Sequence, residues 1–141
     1  MSKSELTIET DPTPEEVAYL EDRLYEFNSS ATGITDARGL AIFVRDERGR
    51  IVAGICGHTW GGSCEIRQFW VEESRRKQGF GTRLLEAAEQ EARRRNCTQI
   101  ILTTHSFQAP EFYRKRGFGI LAAVDDHPRG YRNLLLRKSL A

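Results

Sequence analysis

Apolar and polar positions follow two periods along this chain. Leu6-Thr7-Ile8-Glu9 alternates with period two and predicts a short strand. Val17, Leu20, Leu24 and Phe27 then recur at helical spacing. Thr13 before Pro14, with Glu16 three places on, forms a capping box that marks the start of that helix. Residues 28–39 are polar and Gly-containing and predict a loop, with room for a short second helix. Residues 40–44, 51–60 and 64–71 predict three strands. Turns at Asp46-Glu47-Arg48-Gly49 and Trp60-Gly61-Gly62-Ser63 join them into an antiparallel meander.

The second half switches period again. Residues 81–95 predict a helix with Leu84, Leu85, Ala88 and Ala92 on its buried side. Glu89–Arg93 and Glu91–Arg95 are favourable i,i+4 pairs on it. Residues 99–104 predict an apolar strand centred on Ile100-Ile101-Leu102. Because a helix connects it to strand 64–71, the two strands are expected to run parallel. A short helix over 109–115 stops at Gly117. Residues 118–124 and 132–138 predict a final hairpin-like pair around Asp125-Asp126-His127-Pro128-Arg129-Gly130. The class is α+β, or a three-layer α/β arrangement: a mixed sheet flanked by helices, with no internal repeat.

Composition narrows the function classes. A chain of 141 residues with 39% apolar content suits one domain, 1–141, around one core. A net charge of +1 provides no bulk field for nucleic acid or membrane. No apolar run is long enough for a bilayer and the start is no secretory signal, so the cytoplasm is the expected location. Cys56, Cys64 and Cys97 lack the spacing of a disulfide framework or a zinc site. They read as small core residues, with Cys56 and Cys64 on neighbouring strands and able to face each other. Arg93-Arg94-Arg95 and Arg114-Lys115-Arg116 read as solvated helix ends.

The chemistry lies at Arg76-Lys77-Gln78-Gly79-Phe80-Gly81, between a strand and a helix. Free N–H groups and the dipole at a helix start favour an anion, and glycines let backbone approach it closely. Gly81 is followed by Thr82-Arg83, which is not the ending of a P-loop. Leu84 stands where the dinucleotide fingerprint needs its third glycine. What remains is Arg-x-x-Gly-x-Gly at a strand-to-helix junction. With Phe69-Trp70-Val71 before it and Ala109-Pro110-Glu111-Phe112-Tyr113-Arg114-Lys115-Arg116-Gly117-Phe118 after it, the chain resembles the GNAT superfamily of N-acetyltransferases. The resemblance covers roughly residues 40–140.

The resemblance implies a mostly antiparallel sheet with one parallel pair, and acetyl-CoA as cofactor. It implies that the N–H groups of Gln78, Gly79, Gly81 and Thr82 hold the pyrophosphate, with Arg76 and Lys77 nearby. It places the pantetheine arm between the two parallel strands where they splay, against main-chain groups of Phe69 and Val71. Tyr113 takes the general-acid position, and a phenol stays protonated at neutral pH. Ser106 stands where many members carry an asparagine that touches the pantetheine arm. Glu65 is the first choice of general base, acting through a water, with His58 and His105 as alternatives. Asp125 and Asp126 border the expected acceptor site, and Trp60 and Trp70 are either cleft or core residues. The expected reaction is direct acetyl transfer to a primary amine, a small molecule rather than a peptide, and no metal is needed. A non-catalytic acyl-CoA-binding module is the other alternative, and a homodimer through the C-terminal strands is common in this superfamily.

Overall fold

The computed structural model describes residues 5–141, in two compact units that meet in sequence between Thr35 and Asp36. In the first unit, helix α1 spans Pro14–Thr32. The capping box forms as expected: Glu16 N–H donates to Thr13 Oγ1 at 3.2 Å, and Thr13 N–H donates to Glu16 Oε1 at 3.0 Å. The helix runs five residues into the stretch expected to be a loop. It ends where Gly33 takes φ 74° and donates its N–H to the Ser29 carbonyl, a conformation glycine adopts at little cost. The Thr32 hydroxyl bonds back to the Asn28 carbonyl at 2.7 Å, so polar residues here serve the helix end instead of breaking it. Leu6-Thr7-Ile8-Glu9 forms no strand. Four alternating residues hold an extended ladder only with a partner strand beside them.

The second unit is built on a six-stranded sheet, order β1-β2-β3-β4-β6-β5. Its strands are β1 (Arg38–Arg45), β2 (Ile51–Trp60), β3 (Ser63–Val71), β4 (Gln99–His105), β5 (Gly119–Asp125) and β6 (Arg132–Ser139). Strands β1 to β3 form the expected meander. Helix α2 (Phe80–Arg94) carries the chain across to β4, which lies parallel to β3. The remaining pairs are antiparallel. Helix α3 (Pro110–Arg114) follows β4. The last two strands pair as expected, and it is β6, not β5, that joins β4.

The core lies between α2 and the sheet. Ile55, Leu85, Ile100, Leu136, Val52 and Cys64 are its largest fully buried side chains. Leu84, Leu85, Ala88 and Ala92 are buried on α2 as the spacing predicts. Glu89 is buried beside them, its charge met by Lys138 Nζ at 2.8 Å and Arg93 at 3.7 Å. Arg95 corrects one expectation: it is largely buried. It bonds Glu91, the Arg38 and Gly39 carbonyls and the Thr59 hydroxyl, tying the end of α2 to β1 and β2.

Cys56 and Cys64 do not face each other. Register pairs Cys56 with Gln68, whose side-chain oxygen accepts from Sγ at 3.0 Å, and pairs Cys64 with Thr59. Burial, with Cys97 nearby, pushes the Cys64 thiol up to about 11, the signature of a core thiol and not of a nucleophile. Among the described residues no helix is long and apolar enough to cross a membrane.

Candidate active site

Strand register creates the opening. Strands β3 and β4 pair only from Ser63–Gln99 to Ile66–Leu102. A bulge follows at once in β3: Gly57 of β2 faces Ile66, and Cys56 faces Gln68, so Arg67 is extra. Gly57 is required there, because a Cβ on it would lie 1.8 Å from the Glu65 carbonyl oxygen. Beyond the bulge β3 stays paired with β2 while its other edge parts from β4.

Parity then fixes which groups line that edge. Glu72 N–H donates to Val52 of β2 at 2.8 Å. In an antiparallel strand neighbouring residues point their amides to opposite sides. Val71 and Phe69 therefore turn N–H and C=O toward the splayed edge. Arg76 Nε reaches that edge and donates to the Val71 carbonyl at 3.0 Å.

The start of α2 is an unusual helix end. Its first turn holds no acidic residue, and no side chain caps it. Gly79 takes φ 85° and Lys77 takes φ 62°, the left-handed region. The first backbone bond within the helix runs from Arg83 N–H to the Gly79 carbonyl, so the N–H groups of Phe80, Gly81 and Thr82 have no intrahelical acceptor. Arg75 is paired with Glu72 at 3.3 Å. Arg76, Lys77, Arg83 and Arg116 have no carboxylate partner among the described residues. Cations gathered at the positive end of a helix repel it and each other. An anion such as a diphosphate fits this donor set.

Helix α3 closes the site from the other side. A Cβ on Gly81 would lie 3.5 Å from the Phe112 ring and 3.8 Å from Phe69, so α2 and α3 meet through Gly81. Tyr113 packs edge-on against Phe69, Phe112 and Phe118, at centroid distances of 6.3, 5.3 and 5.6 Å. Burial among these rings pushes its phenol up to about 12. The structure thus brings together Tyr113, Phe69 and the glycine turn.

Other expected residues stand apart from that group. Glu65 lies in the paired part of β3, opposite His58 and Ile101, where strand alternation turns it away from the buried Cys64 and Ile66. It is half-exposed and pairs with Arg67 at 3.5 Å. His58 carries a buried Nδ1 with no hydrogen-bond partner. Gln78 donates its side-chain amide to the Ser74 carbonyl at 3.4 Å. Ser106 Oγ accepts from Arg132 N–H at 3.0 Å, stitching the end of β4 to the start of β6. His105 stacks on Phe107 at 5.2 Å, and its Nδ1 lies 2.9 Å from the His127 carbonyl. Asp125 pairs with Arg132, and Asp126 accepts from Gly130 N–H within the turn. Trp70 is half-exposed and so is no core residue.

Arg116 is the residue the sequence reading missed. It was grouped with Arg114 and Lys115 as a solvated helix end, yet its guanidinium lies 3.8 Å over the Phe112 ring. Nη1 donates to the Phe112 carbonyl at 2.8 Å, and Nη2 donates to Thr82 Oγ1 across the gap to α2. Arg114, two places earlier, points to Glu111 in solvent. Arg114 is the last residue of α3 and Arg116 lies in the turn after it, so backbone position separates the two, and composition does not.

Comparison with known proteins shows the family and the fold. Residues 4–118 match the family model described as Acetyltransferase (GNAT) family. Blasticidin-S acetyltransferase of Streptomyces morookaense is 34% identical over 113 residues, 77% of this chain and 83% of that protein. The crystal structure of an acetyltransferase from Bacillus cereus superposes with a TM-score of 0.77 at 32% identity, over 94% of this chain and 97% of that one. An aminoglycoside 6'-N-acetyltransferase solved with coenzyme A shares the fold, with a TM-score of 0.66 at 21% identity over 92% and 93% of the two chains.

Proposed function

Because the chain belongs to the GNAT acetyltransferase family, we propose that it transfers an acetyl group from acetyl-CoA to the primary amine of a small molecule. The observation that carries this reading is the meeting of a buried phenol, a splayed pair of parallel strands and an uncapped cationic helix start. Acetyl-CoA supplies the activated acetyl as a thioester, with a thiolate as leaving group. That the shared fold was solved with coenzyme A in an aminoglycoside enzyme supports the choice of cofactor.

In this reading the N–H groups of Gln78, Gly79, Gly81 and Thr82 hold the diphosphate, with Arg76 and Lys77 adding charge. Main-chain groups of Phe69 and Val71 orient the pantetheine amides on the free edge of β3, and Ser106, at the end of β4, keeps its hydroxyl proton free to bond the arm. The Val71 N–H donates to the thioester carbonyl as charge develops on its oxygen. Glu65 accepts the amine proton through a water. The new C–N bond forms as the C–S bond breaks, and Tyr113 donates its proton to the departing sulfur. With its pKa raised to about 12, Tyr113 holds that proton at neutral pH.

The small-molecule acceptor is favoured by the relation to an enzyme named for blasticidin S. A homodimer through the C-terminal strands belongs to the same reading. An amine panel with thiol-release detection tests the acceptor: blasticidin S, aminoglycosides, polyamines and N-terminal peptides. Turnover on small amines with none on peptides is expected; turnover on peptides alone would replace this reading with a protein acetyltransferase. Tight acetyl-CoA binding with no turnover on any amine would mark a non-catalytic module.

A further inference from the structure

We infer that Arg116 is a positioning residue for the cofactor diphosphate, acting through the Thr82 hydroxyl as well as by its own charge. The inference rests on the acetyl-CoA reading above. Three observations on this chain carry it. First, Arg116 is a partly buried cation with no carboxylate partner among the described residues. A buried charge without a counter-charge costs several kcal/mol unless something else neutralises it. Second, its Nε is fully buried and makes no hydrogen bond, although the other two nitrogens are fixed on Phe112 O and Thr82 Oγ1. Third, the guanidinium carbon lies 3.8 Å over the centre of the Phe112 ring, which also packs on Gly81. The cation is therefore held at the opening turn of α2, where the dipole repels it.

A hydroxyl that accepts from arginine turns its own hydrogen elsewhere. Thr82 Oγ1 accepts from Nη2, so its O–H is left to donate. Thr82 is the third residue of α2, in the turn whose N–H groups lack intrahelical partners. Arg116 thus sets Thr82 as one more donor in the same ring of donors. It also places a formal positive charge behind that hydroxyl, where an incoming diphosphate would neutralise it. Lysine would keep the charge but lose the guanidinium's contact with the ring and the fork that reaches two acceptors at once.

The test is calorimetric titration of the full chain with coenzyme A and with 3'-dephospho-coenzyme A, at low and high salt. The proteins compared are native, Arg116→Gln, Arg116→Lys, Thr82→Val and the Arg116→Gln/Thr82→Val double variant. Expected is a loss of about tenfold for Arg116→Gln with both ligands, about 1.4 kcal/mol, and a weaker salt dependence. Arg116→Lys should recover part of the loss, and the double variant should lose less than the product of the singles, because both act through one hydroxyl. Thr82→Val leaves the α3 packing intact and keeps the test open if Arg116→Gln fails to fold. Native affinity in Arg116→Gln, or in Thr82→Val, would overturn the inference alone. So would a loss confined to coenzyme A, which would move the contact to the 3'-phosphate. Failure of the native chain to bind either ligand would instead overturn the acetyl-CoA reading on which the inference rests.

Discussion

Tyr113 sits among three aromatic rings that screen it from water, and that fixes how it titrates. Its pKa rises from 10.0 to about 12, because burial penalises the phenolate. The fold therefore favours the protonated phenol. That contribution to stability is complete below pH 10 and is lost as pH rises from 10 toward 12. Alkaline unfolding in that window should shift to higher pH in Tyr113→Phe. The same replacement should lower kcat about 100-fold while leaving the KM for acetyl-CoA nearly unchanged. The ratio of native to variant kcat should stay flat from pH 6 to 9, since Tyr113 does not titrate there. An unchanged kcat would remove this residue from the chemistry. At this scale the sequence located Tyr113 through its motif, but Arg116 was hidden in a run of three cations. Only the turn that ends α3 separates the side chain that lies over Phe112 from the one that reaches solvent.

Between elements, glycine decides how closely backbone segments meet. Gly57 lets β2 pass the bulge of β3, and a Cβ there would collide with the Glu65 carbonyl. Gly57→Ala should cost about 3 kcal/mol, read as a lowered midpoint in urea, and it should weaken cofactor affinity by shifting the bulge. Gly79 is a different case: nothing lies within 4 Å of a Cβ placed on it, but φ is 85°. Gly79→Ala should therefore cost only the left-handed strain, about 1 kcal/mol, while on the acetyl-CoA reading affinity falls more than stability does, because the methyl enters open space at the turn proposed to hold the diphosphate. Equal and small effects on both would argue against a phosphate at this turn. The amphipathic periods revealed α2 and the meander, since burial on one face is what those periods encode. The splay of β3 from β4 is implied by the family resemblance and not by periodicity, and the bulge at Arg67 is not expected from the sequence, because both depend on register with strands distant along the chain. The missing first strand has the reverse cause: Leu6-Thr7-Ile8-Glu9 has the right period, and periodicity says nothing about a partner. Helix α1 outruns its expected end because residues 28–32 are polar without breaking a helix, and the left-handed Gly33 is what stops it.

For the molecule as a whole, one arrangement unites these features: four cations without carboxylate partners around an uncapped helix start, beside an opened sheet edge and a protonated phenol. An enzyme that binds a polyanionic acyl carrier needs such charge, and a domain selected for stability alone would place carboxylates there. The measurement that tests this most directly is calorimetric titration of the native chain with acetyl-CoA, run beside Gly79→Pro. The account predicts one site per chain with micromolar affinity that weakens as salt rises, and loss of that binding in a Gly79→Pro protein that stays folded but is less stable, because proline cannot take φ 85°. No heat of binding from the native chain, or equal binding by the two proteins, would contradict it.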